Sequence, residues 1–463
     1  MHFGKMMSVV VTAILLAGLF IGTAHAIPAF SRQFKAECST CHTIYPELNE
    51  YGEAFLKNSY VYSHAKQRQG KPAALPVLGG GGDPVMLEKL KSQAADTPAE
   101  SAGQAGAGKQ NEGLWLAAIP EVLPISISAI LNASYNSNAA NNDDLDLSTR
   151  ALVLHAGGNF REKAGFFASY TVYSEGTYNP TSGNTISNNP NVPSNNAPDV
   201  TELFLVWRHA LDTPVNLKIG RMRPKLSLWK STNKTSVSSY AIHTFRVGDS
   251  PFTIDAPEDA VEANAVLAKR LFVAAGVVDR NGQKNNEGYG HISYKFGGAD
   301  YLGNEPVIDF DSDSIWDYLS IAVGAYGYAG RNADIVGGVA EHFNDYYRVG
   351  MELDLAYKKF RLRAGGVMGN DSNPFYQADK DSINSVAVTS DAQYLIDSNI
   401  IAAFRYDYVF DQTYTSERHI YTPSLAYSPL QNLRLVLEYR HEDYVDSSIT
   451  DNKIANLGIT FSF

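Results

Sequence analysis

From residue 120 onward, the chain alternates apolar and polar residues with a period of two. Around residue 350, Tyr347, Val349 and Met351 alternate with Arg348 and Glu352. Successive side chains of a β-strand point to opposite faces, so this pattern predicts strands with one apolar and one charged face. Two further runs of this kind have apolar positions at Leu433, Leu435, Leu437 and Tyr439, and at Ala455, Leu457, Ile459, Phe461 and Phe463.

Alternation alone does not separate a soluble sheet from a membrane barrel, because a soluble antiparallel sheet also has one apolar face. Here the predicted strands are long, aromatic residues stand at their ends, and the chain finishes on a strand with Phe463. These features are typical of an outer-membrane barrel, whose apolar face contacts lipid and whose charged face lines the interior. We therefore predict an all-β fold, a transmembrane antiparallel β-barrel over residues 120–463, with a secreted β-sandwich as the alternative.

The lengths of the connections predict the topology, because outer-membrane barrels have short periplasmic turns and longer outer loops. A weakly alternating strand at 383–390 makes the pattern consistent and gives about sixteen strands, a size that leaves a water-filled lumen. The connection at 297–315 is then a long periplasmic turn. The predicted outer loops are 136–146, 175–198, 223–258, 280–288, 330–345, 370–382, 410–417 and 444–452.

The long periplasmic turn contains three alternating aspartates, Asp309, Asp311 and Asp313. They do not form a calcium-binding loop of the helix-loop-helix type, because Ser314 stands where glycine is needed and Ser320 where a bidentate glutamate is needed. We interpret the turn as a solvated acidic segment. Docking of a basic periplasmic cytochrome is the alternative, based on charge complementarity.

Residues 1–26 have the pattern of a secretory signal peptide. Lys5 precedes an apolar run over 8–23, and Ala24-His25-Ala26 supplies the small-x-small site that a signal peptidase needs. The mature chain would begin at Ile27. An uncleaved membrane anchor is the alternative, but the apolar run is short for it. The sequence thus predicts an exported protein.

The two cysteines of the chain stand in the run Cys38-x-x-Cys41-His42. In an oxidising compartment they could form a disulfide, but the histidine directly after the second cysteine favours attachment of one c-type haem. Two thioether bonds would hold the porphyrin, and His42 would be the proximal iron ligand. The predicted haem segment, residues 27–66, is a small α-helical unit whose helix begins at Pro46. The face covering the haem would carry Leu48, Tyr51 and Phe55.

The second axial ligand of the haem iron remains open between several candidates. His64 and Met86 are the histidine and methionine that lie between His42 and the predicted barrel. The iron could also be five-coordinate or take a ligand from the barrel. Alternation places His155 and His291 on the lumen side, where we expect wet pore residues rather than haem ligands.

Between the haem segment and the barrel, residues 67–113 are rich in Gly, Ala, Pro, Ser and Gln. A flexible linker of this length spans roughly 35–40 Å, so the haem segment would be tethered but not fixed. The formal net charge of −11 argues against a nucleic-acid partner.

Three N-terminal stretches resemble the fused monohaem cytochrome-porins of iron-oxidising bacteria. They are AFSRQ at 29–33, CSTCH at 38–42 and YPELNEYG at 45–52, and the order from signal peptide to barrel is also similar. Phe34 stands where the resemblance predicts threonine.

The resemblance implies a protein in the outer membrane of a Gram-negative bacterium that oxidises extracellular Fe(II). It would be an oxidoreductase of the Fe(II):cytochrome c type that passes electrons to a periplasmic cytochrome. By position, Cys38 and Cys41 would bind haem c covalently and His42 would bind its iron, with the haem segment in the pore or on the periplasmic side.

Three functions fit the sequence. The first is this inward electron conduit for Fe(II) or a similar donor. The second is the same conduit exporting electrons to an extracellular acceptor, since the direction depends on a haem potential that ligation and burial set. The third is a solute porin whose haem segment acts as a plug or sensor.

Overall fold

The computed structural model describes most of the barrel and a short N-terminal segment. The described residues are 30, 37–60, 125–137, 145–160, 163–174, 199–280, 287–306, 314–336, 339–379, 381–412 and 417–462. The predicted signal peptide, the linker at 67–113 and the three aspartates of the periplasmic turn lie outside them.

Sixteen antiparallel strands close into one barrel in the described part of the chain, as the sequence predicts. The last strand pairs with the first along 454–462 and 128–136, which leaves no open sheet edge. The strands are β3 (Ile125–Asn136), β4 (Leu145–Phe160), β5 (Ala164–Ser174), β6 (Asp199–Trp207), β7 (Val215–Met222), β8 (Glu258–Leu267), β9 (Leu271–Asp279), β10 (Glu287–Gly297), β11 (Leu319–Val336), β12 (Val339–Tyr357), β13 (Phe360–Asp371), β14 (Ile383–Asp397), β15 (Ile400–Asp411), β16 (Arg418–Leu430), β17 (Leu433–Tyr444) and β18 (Asn452–Ser462).

The two faces of the barrel wall follow the alternation in the sequence. On β12, Met351 is 71% exposed on the outside, whereas Arg348 is 1% exposed and points inward. Tyr347 and Val349 share the outer face with Met351. The outer surface is therefore apolar along the strands, as contact with lipid requires, and the charged residues lie inside.

The predicted strand at 383–390 is confirmed as part of β14, but the prediction of an outer loop at 330–345 is wrong. Most of that stretch is strand, because β11 and β12 continue to Val336 and Val339. Asn332 pairs in register with Asn344, and both are fully buried.

The connection between β7 and β8, predicted as an outer loop, folds into the barrel. We call residues 223–257 the lumen loop. Glu438 accepts hydrogen bonds from the backbone of Val237 (2.7 Å) and Ser238 (3.1 Å). The inward-facing strand residues that bond the lumen loop include Glu202, Glu262, His291, Asn332, Glu352, Arg363, Asp391, Arg405, Asp407, Arg434 and Glu438.

These partners lie on β6, β8, β10 to β15 and β17, so the lumen loop crosses the interior of the barrel. Its apolar residues, among them Leu226, Trp229 and Ile242, form one buried cluster with inward side chains of the wall. The expectation of a water-filled lumen at this level is wrong, because apolar burial and charge-assisted hydrogen bonds hold the loop inside.

The N-terminal segment consists of a 3₁₀ turn (Cys38–Thr40), a two-stranded hairpin of β1 (His42–Ile44) and β2 (Glu47–Leu48), and helix α1 (Glu50–Lys57). The predicted helix start at Pro46 is wrong, because that proline lies in the hairpin turn. The helix begins after Asn49, whose side chain accepts a hydrogen bond from Gly52 N as an N-cap. None of the described helices is long and apolar enough to cross a membrane.

Candidate functional site

The N-terminal segment lies in the mouth of the barrel that the short turns form. Cys38 N donates to the Gln431 side chain (3.2 Å) in the turn between β16 and β17. Asn58, at the end of α1, donates to the Tyr301 carbonyl (2.8 Å) in the connection between β10 and β11. The Tyr45 hydroxyl lies 3.0 Å from Ser128 Oγ on β3. Because porin-type barrels have their short turns on the periplasmic side, this mouth corresponds to the periplasmic one.

Asn49 fixes the shape of the Cys-x-x-Cys-His run against the helix. Its side-chain amide donates to the carbonyls of Ser39 and Thr40, both at 3.1 Å, and its backbone N–H donates to the Cys41 carbonyl at 3.0 Å. Gly52 completes the contact, because a Cβ there would collide with the Cys41 carbonyl oxygen. The two cysteines are therefore held on a rigid turn packed onto the first turn of α1.

Three glutamates spaced three residues apart attach the segment to the barrel wall and the lumen loop. Glu47, with an exposed fraction of 0%, pairs with Arg363 (2.9 Å) and Arg361 (3.4 Å) on β13. The second, Glu50, pairs with Lys295 on β10 at 2.8 Å. The third, Glu53 of α1, accepts from the Asn233 side chain of the lumen loop at 2.7 Å. The segment is thus fixed, not merely tethered as its linker suggests.

Aromatic side chains hold the far end of the segment inside the barrel. The Tyr60 ring stacks on Phe167 of β5 at 5.6 Å and on Phe30 at 5.4 Å between centroids. Phe55 of α1 meets Phe30 edge to face at 5.1 Å. Such contacts add to the burial of large apolar surfaces. A side chain at position 157 of β4 would collide with the Phe30 ring, so glycine is required there.

A cavity of about 520 Å³ opens beside the cysteine turn. This volume lies within the roughly 300–1,000 Å³ of sites that bind cofactor-sized ligands. One wall is Cys38, His42 and Tyr45, and the other is formed by the short turns of the barrel, including Lys359, Ser398, Asn399 and Gln431. Two of the three candidate attachment residues, Cys38 and His42, therefore border a space of suitable size.

The chemistry of the two thiols and the imidazole fits a covalently attached haem. Cys38 and Cys41 are not joined by a disulfide. Burial, with a smaller contribution from Cys38, raises the pKa of the Cys41 thiol to about 12. His42 Nδ1 is buried and has no hydrogen-bond partner among the described residues.

Burial also lowers the pKa of His42 to about 4, although the backbone of Pro46 and Glu47 favours the protonated ring. At neutral pH the imidazole is therefore uncharged, which is the form that ligates a metal. The donor set of this turn is compatible with a haem iron ligand at His42.

The other histidines lie in different surroundings. His64 and Met86, the candidates for the second axial ligand, lie outside the described residues. His291 faces inward as predicted, but it is not a wet pore residue: it is 4% exposed, and its Nδ1 lies 2.5 Å from the Leu226 carbonyl of the lumen loop. The imidazole of His155 is partly buried and lies 6.2 Å from the Phe167 ring.

Replacing Glu47 with glutamine should release the segment from the barrel mouth. The substitution keeps the size of the side chain but leaves two buried arginines with less compensation, and breaking a buried ion pair costs about 3–5 kcal/mol. We expect faster trypsin cleavage after Lys57 in micelles, while the barrel keeps its heat-modifiable migration. Glu37→Gln is the matched control, because Glu37 is exposed in the same segment. Equal protease resistance of both variants would show that these ion pairs do not hold the segment.

No protein-family model matches the chain, and no curated protein matches it in sequence. Among solved structures, the anion-selective porin from Comamonas acidovorans is similar with a TM-score of 0.51 and 12% identity, covering 73% of this chain and 99% of that one. The outer membrane channel DcaP of Acinetobacter baumannii is similar with a TM-score of 0.47 and 13% identity, covering 73% of this chain and 96% of that one. Pseudomonas putida OprB is similar with a TM-score of 0.47 and 10% identity, covering 73% of this chain and 94% of that one.

The likeness to the Comamonas acidovorans porin concerns the fold. A closed sixteen-stranded antiparallel barrel with an apolar outer face is the architecture of the outer-membrane porins. The chain has this architecture, with the N-terminal segment in one mouth and the lumen loop across the interior.

Proposed function

We propose that this chain is an outer-membrane electron-transfer protein that carries one haem c at the periplasmic mouth of a porin-type barrel. The observation that carries the proposal is the position of Cys38 and His42 on a cavity of about 520 Å³, in a segment fixed to the barrel by ion pairs. Cys38 and Cys41 would hold the haem covalently, and His42 would bind its iron. The haem would supply one-electron redox chemistry.

The protein's own residues position this site. Asn49 holds the cysteine turn against α1, Glu47 and Glu50 hold the segment against the wall, and the short turns form the opposite side of the cavity. The cavity opens at the mouth where a periplasmic cytochrome would dock, so that cytochrome is the proposed inner partner. On the outer side we propose Fe(II), or a similar donor, by the resemblance of the N-terminal stretches. The alternative is electron export through the same site, in which electrons move from the periplasmic side to an extracellular acceptor.

A solute channel is the second candidate, because the barrel shares its architecture with the anion-selective porin from Comamonas acidovorans. The lumen loop argues against free diffusion of solutes through this barrel, since inward residues from nine strands bond it across the interior. A porin that is plugged by its loop and N-terminal segment would still be consistent with the fold.

Reconstituted vesicles distinguish these functions. With the outer loops facing out, Fe(II) added outside should reduce the haem, seen as the sharpening of its visible absorption bands. His42→Ala should greatly impair this reduction, because the substitution removes the proximal ligand that tunes the iron. His209→Asn is the control, since His209 is an exposed histidine in another short turn and asparagine tolerates its positive φ.

The alternatives give different results in the same vesicles. A haem that stays oxidised with Fe(II) outside but is reduced by a low-potential donor inside would favour electron export. A haem that neither donor reduces, in vesicles that leak small solutes, would favour the porin.

A further inference from the structure

A second cavity, of about 90 Å³, lies inside the barrel where the helix, the wall and the lumen loop meet. Its lining includes three carboxylates, Glu53, Asp255 and Glu262, and five basic residues that come from these three elements. Lys57 belongs to α1, Lys218 to β7, and the lumen loop supplies Arg223, Lys225 and Lys230.

Three of these cations have carboxylate partners. Lys57 pairs with Glu53 at 3.1 Å. Glu202 on β6 pairs with Arg223 at 3.0 Å and with Lys230 at 3.4 Å. Arg223 also lies 3.1 Å from Asp255 of the lumen loop. The charges of these groups are therefore largely compensated within the wall of the cavity.

Lys218 and Lys225 differ from the other three. In the described part of the chain, neither amine has a carboxylate oxygen within 4.0 Å. Lys225 Nζ donates to the carbonyls of Ser227 (2.8 Å) and Leu228 (3.2 Å), which leaves one N–H. Lys218 Nζ lies 4.0 Å from the centre of the Phe204 ring.

Taking a cation partly out of water without a carboxylate in direct contact is costly, so these two half-buried lysines favour a ligand of opposite sign. The effect is visible at Lys225, whose pKa burial lowers to about 7, with Lys57 adding to the shift and Glu53, Glu352 and Glu262 opposing it. An anion in the cavity would compensate the positive charge of the lysines and accept hydrogen bonds from their remaining N–H groups. A cavity of this volume has room for a small ion.

We infer that this cavity binds one small oxyanion, of the size of phosphate or sulfate, between Lys218 and Lys225. Ammonium groups form strong charge-assisted hydrogen bonds to such oxygens, and an oxyanion offers several acceptors to donors that come from different sides. Because the site joins the barrel wall to the lumen loop beside α1, the bound anion fastens these elements together. The inference goes beyond electron transfer and does not depend on the haem.

Binding of inorganic phosphate to the purified full-length protein tests this inference. Equilibrium dialysis with radiolabelled phosphate, at constant ionic strength in chloride, should show saturable binding of one ion per chain. Phosphate should also raise the temperature at which the barrel loses its heat-modifiable form. Lys218→Met should weaken binding by about tenfold or more, as loss of a charge-assisted hydrogen bond predicts.

Lys163→Met is the control, because Lys163 is exposed in a short turn and should leave phosphate binding unchanged. Lys225→Met should weaken binding as well, but its bonds to the lumen loop also support folding, so Lys218→Met is the decisive variant. Absence of saturable binding in the wild type would overturn the inference. So would equal binding by wild type and a folded Lys218→Met, or displacement of phosphate by equimolar chloride.

Discussion

Deleting residues 227–244 and bridging the gap with a short Gly-Ser linker should convert the closed barrel into an open ion channel. Sixteen strands enclose a lumen wide enough for water, and here the lumen loop occupies it. In planar lipid bilayers we expect the wild type to stay near the baseline of pure lipid and the deletion variant to give steady open-channel current. The inward residues left behind, such as Glu352, Glu438 and Asp407, would then be hydrated rather than buried without partners, so the barrel should survive.

A shortened outer loop at 446–449 is the matched control, because that connection between β17 and β18 does not belong to the lumen loop. It should leave the current at the wild-type level. A folded deletion variant that stays closed would show that the N-terminal segment alone blocks the barrel. Loss of heat-modifiable migration would show that the lumen loop is part of the folding core.

The barrel could be predicted because each wall residue meets one of two environments in strict alternation. The weak alternation of β14 has a physical cause: its inward residues Ile383 and Ala387 are apolar, since they pack into the buried cluster of the lumen loop. In the hairpin of β11 and β12 the pattern misleads in the opposite way, because polar residues of the strands predict a loop. Polar residues such as Asn332 looked like a loop but are buried inside the barrel.

The lumen loop could not be predicted from local sequence. Its stretch rich in Ser, Thr and Asn resembles a solvated outer loop, and many of the residues that hold it inside are more than a hundred positions away in sequence. Ser238 meets Glu438 and Arg405, whereas Leu228 meets Glu352. The separation in sequence between the lumen loop and β12 also explains why the alternation alone places Arg348 and Glu352 in a water-filled lumen.

The cysteine turn could be predicted in part. The spacing of Cys38, Cys41 and His42 identifies the candidate attachment site without any structure. The spacing of Glu47, Glu50 and Glu53 was an available signal for one charged face, but their partners on the wall are known only from the fold. Asn49 as a helix cap could have been recognised, because it directly precedes an acidic first turn.

Replacing both cysteines, Cys38→Ala with Cys41→Ala, should abolish covalent haem and leave the barrel folded. No other cysteine exists in the chain to form a thioether bond. The sixteen strands pair with each other, and the segment keeps its ion pairs at Glu47 and Glu50. Haem staining of a denaturing gel should be lost, while heat-modifiable migration and membrane insertion remain.

The control replaces the two residues between the cysteines, Ser39→Ala with Thr40→Ala, and keeps the Cys-x-x-Cys-His spacing. It should retain haem staining, because Asn49 bonds the backbone carbonyls of these residues and not their side chains. Haem that survives denaturation in the double cysteine variant would mean that attachment does not use this turn. Loss of the barrel together with the haem would mean that segment and wall fold as one unit. In that case the ion pairs between the N-terminal segment and β10 and β13 would form during assembly of the barrel rather than after it.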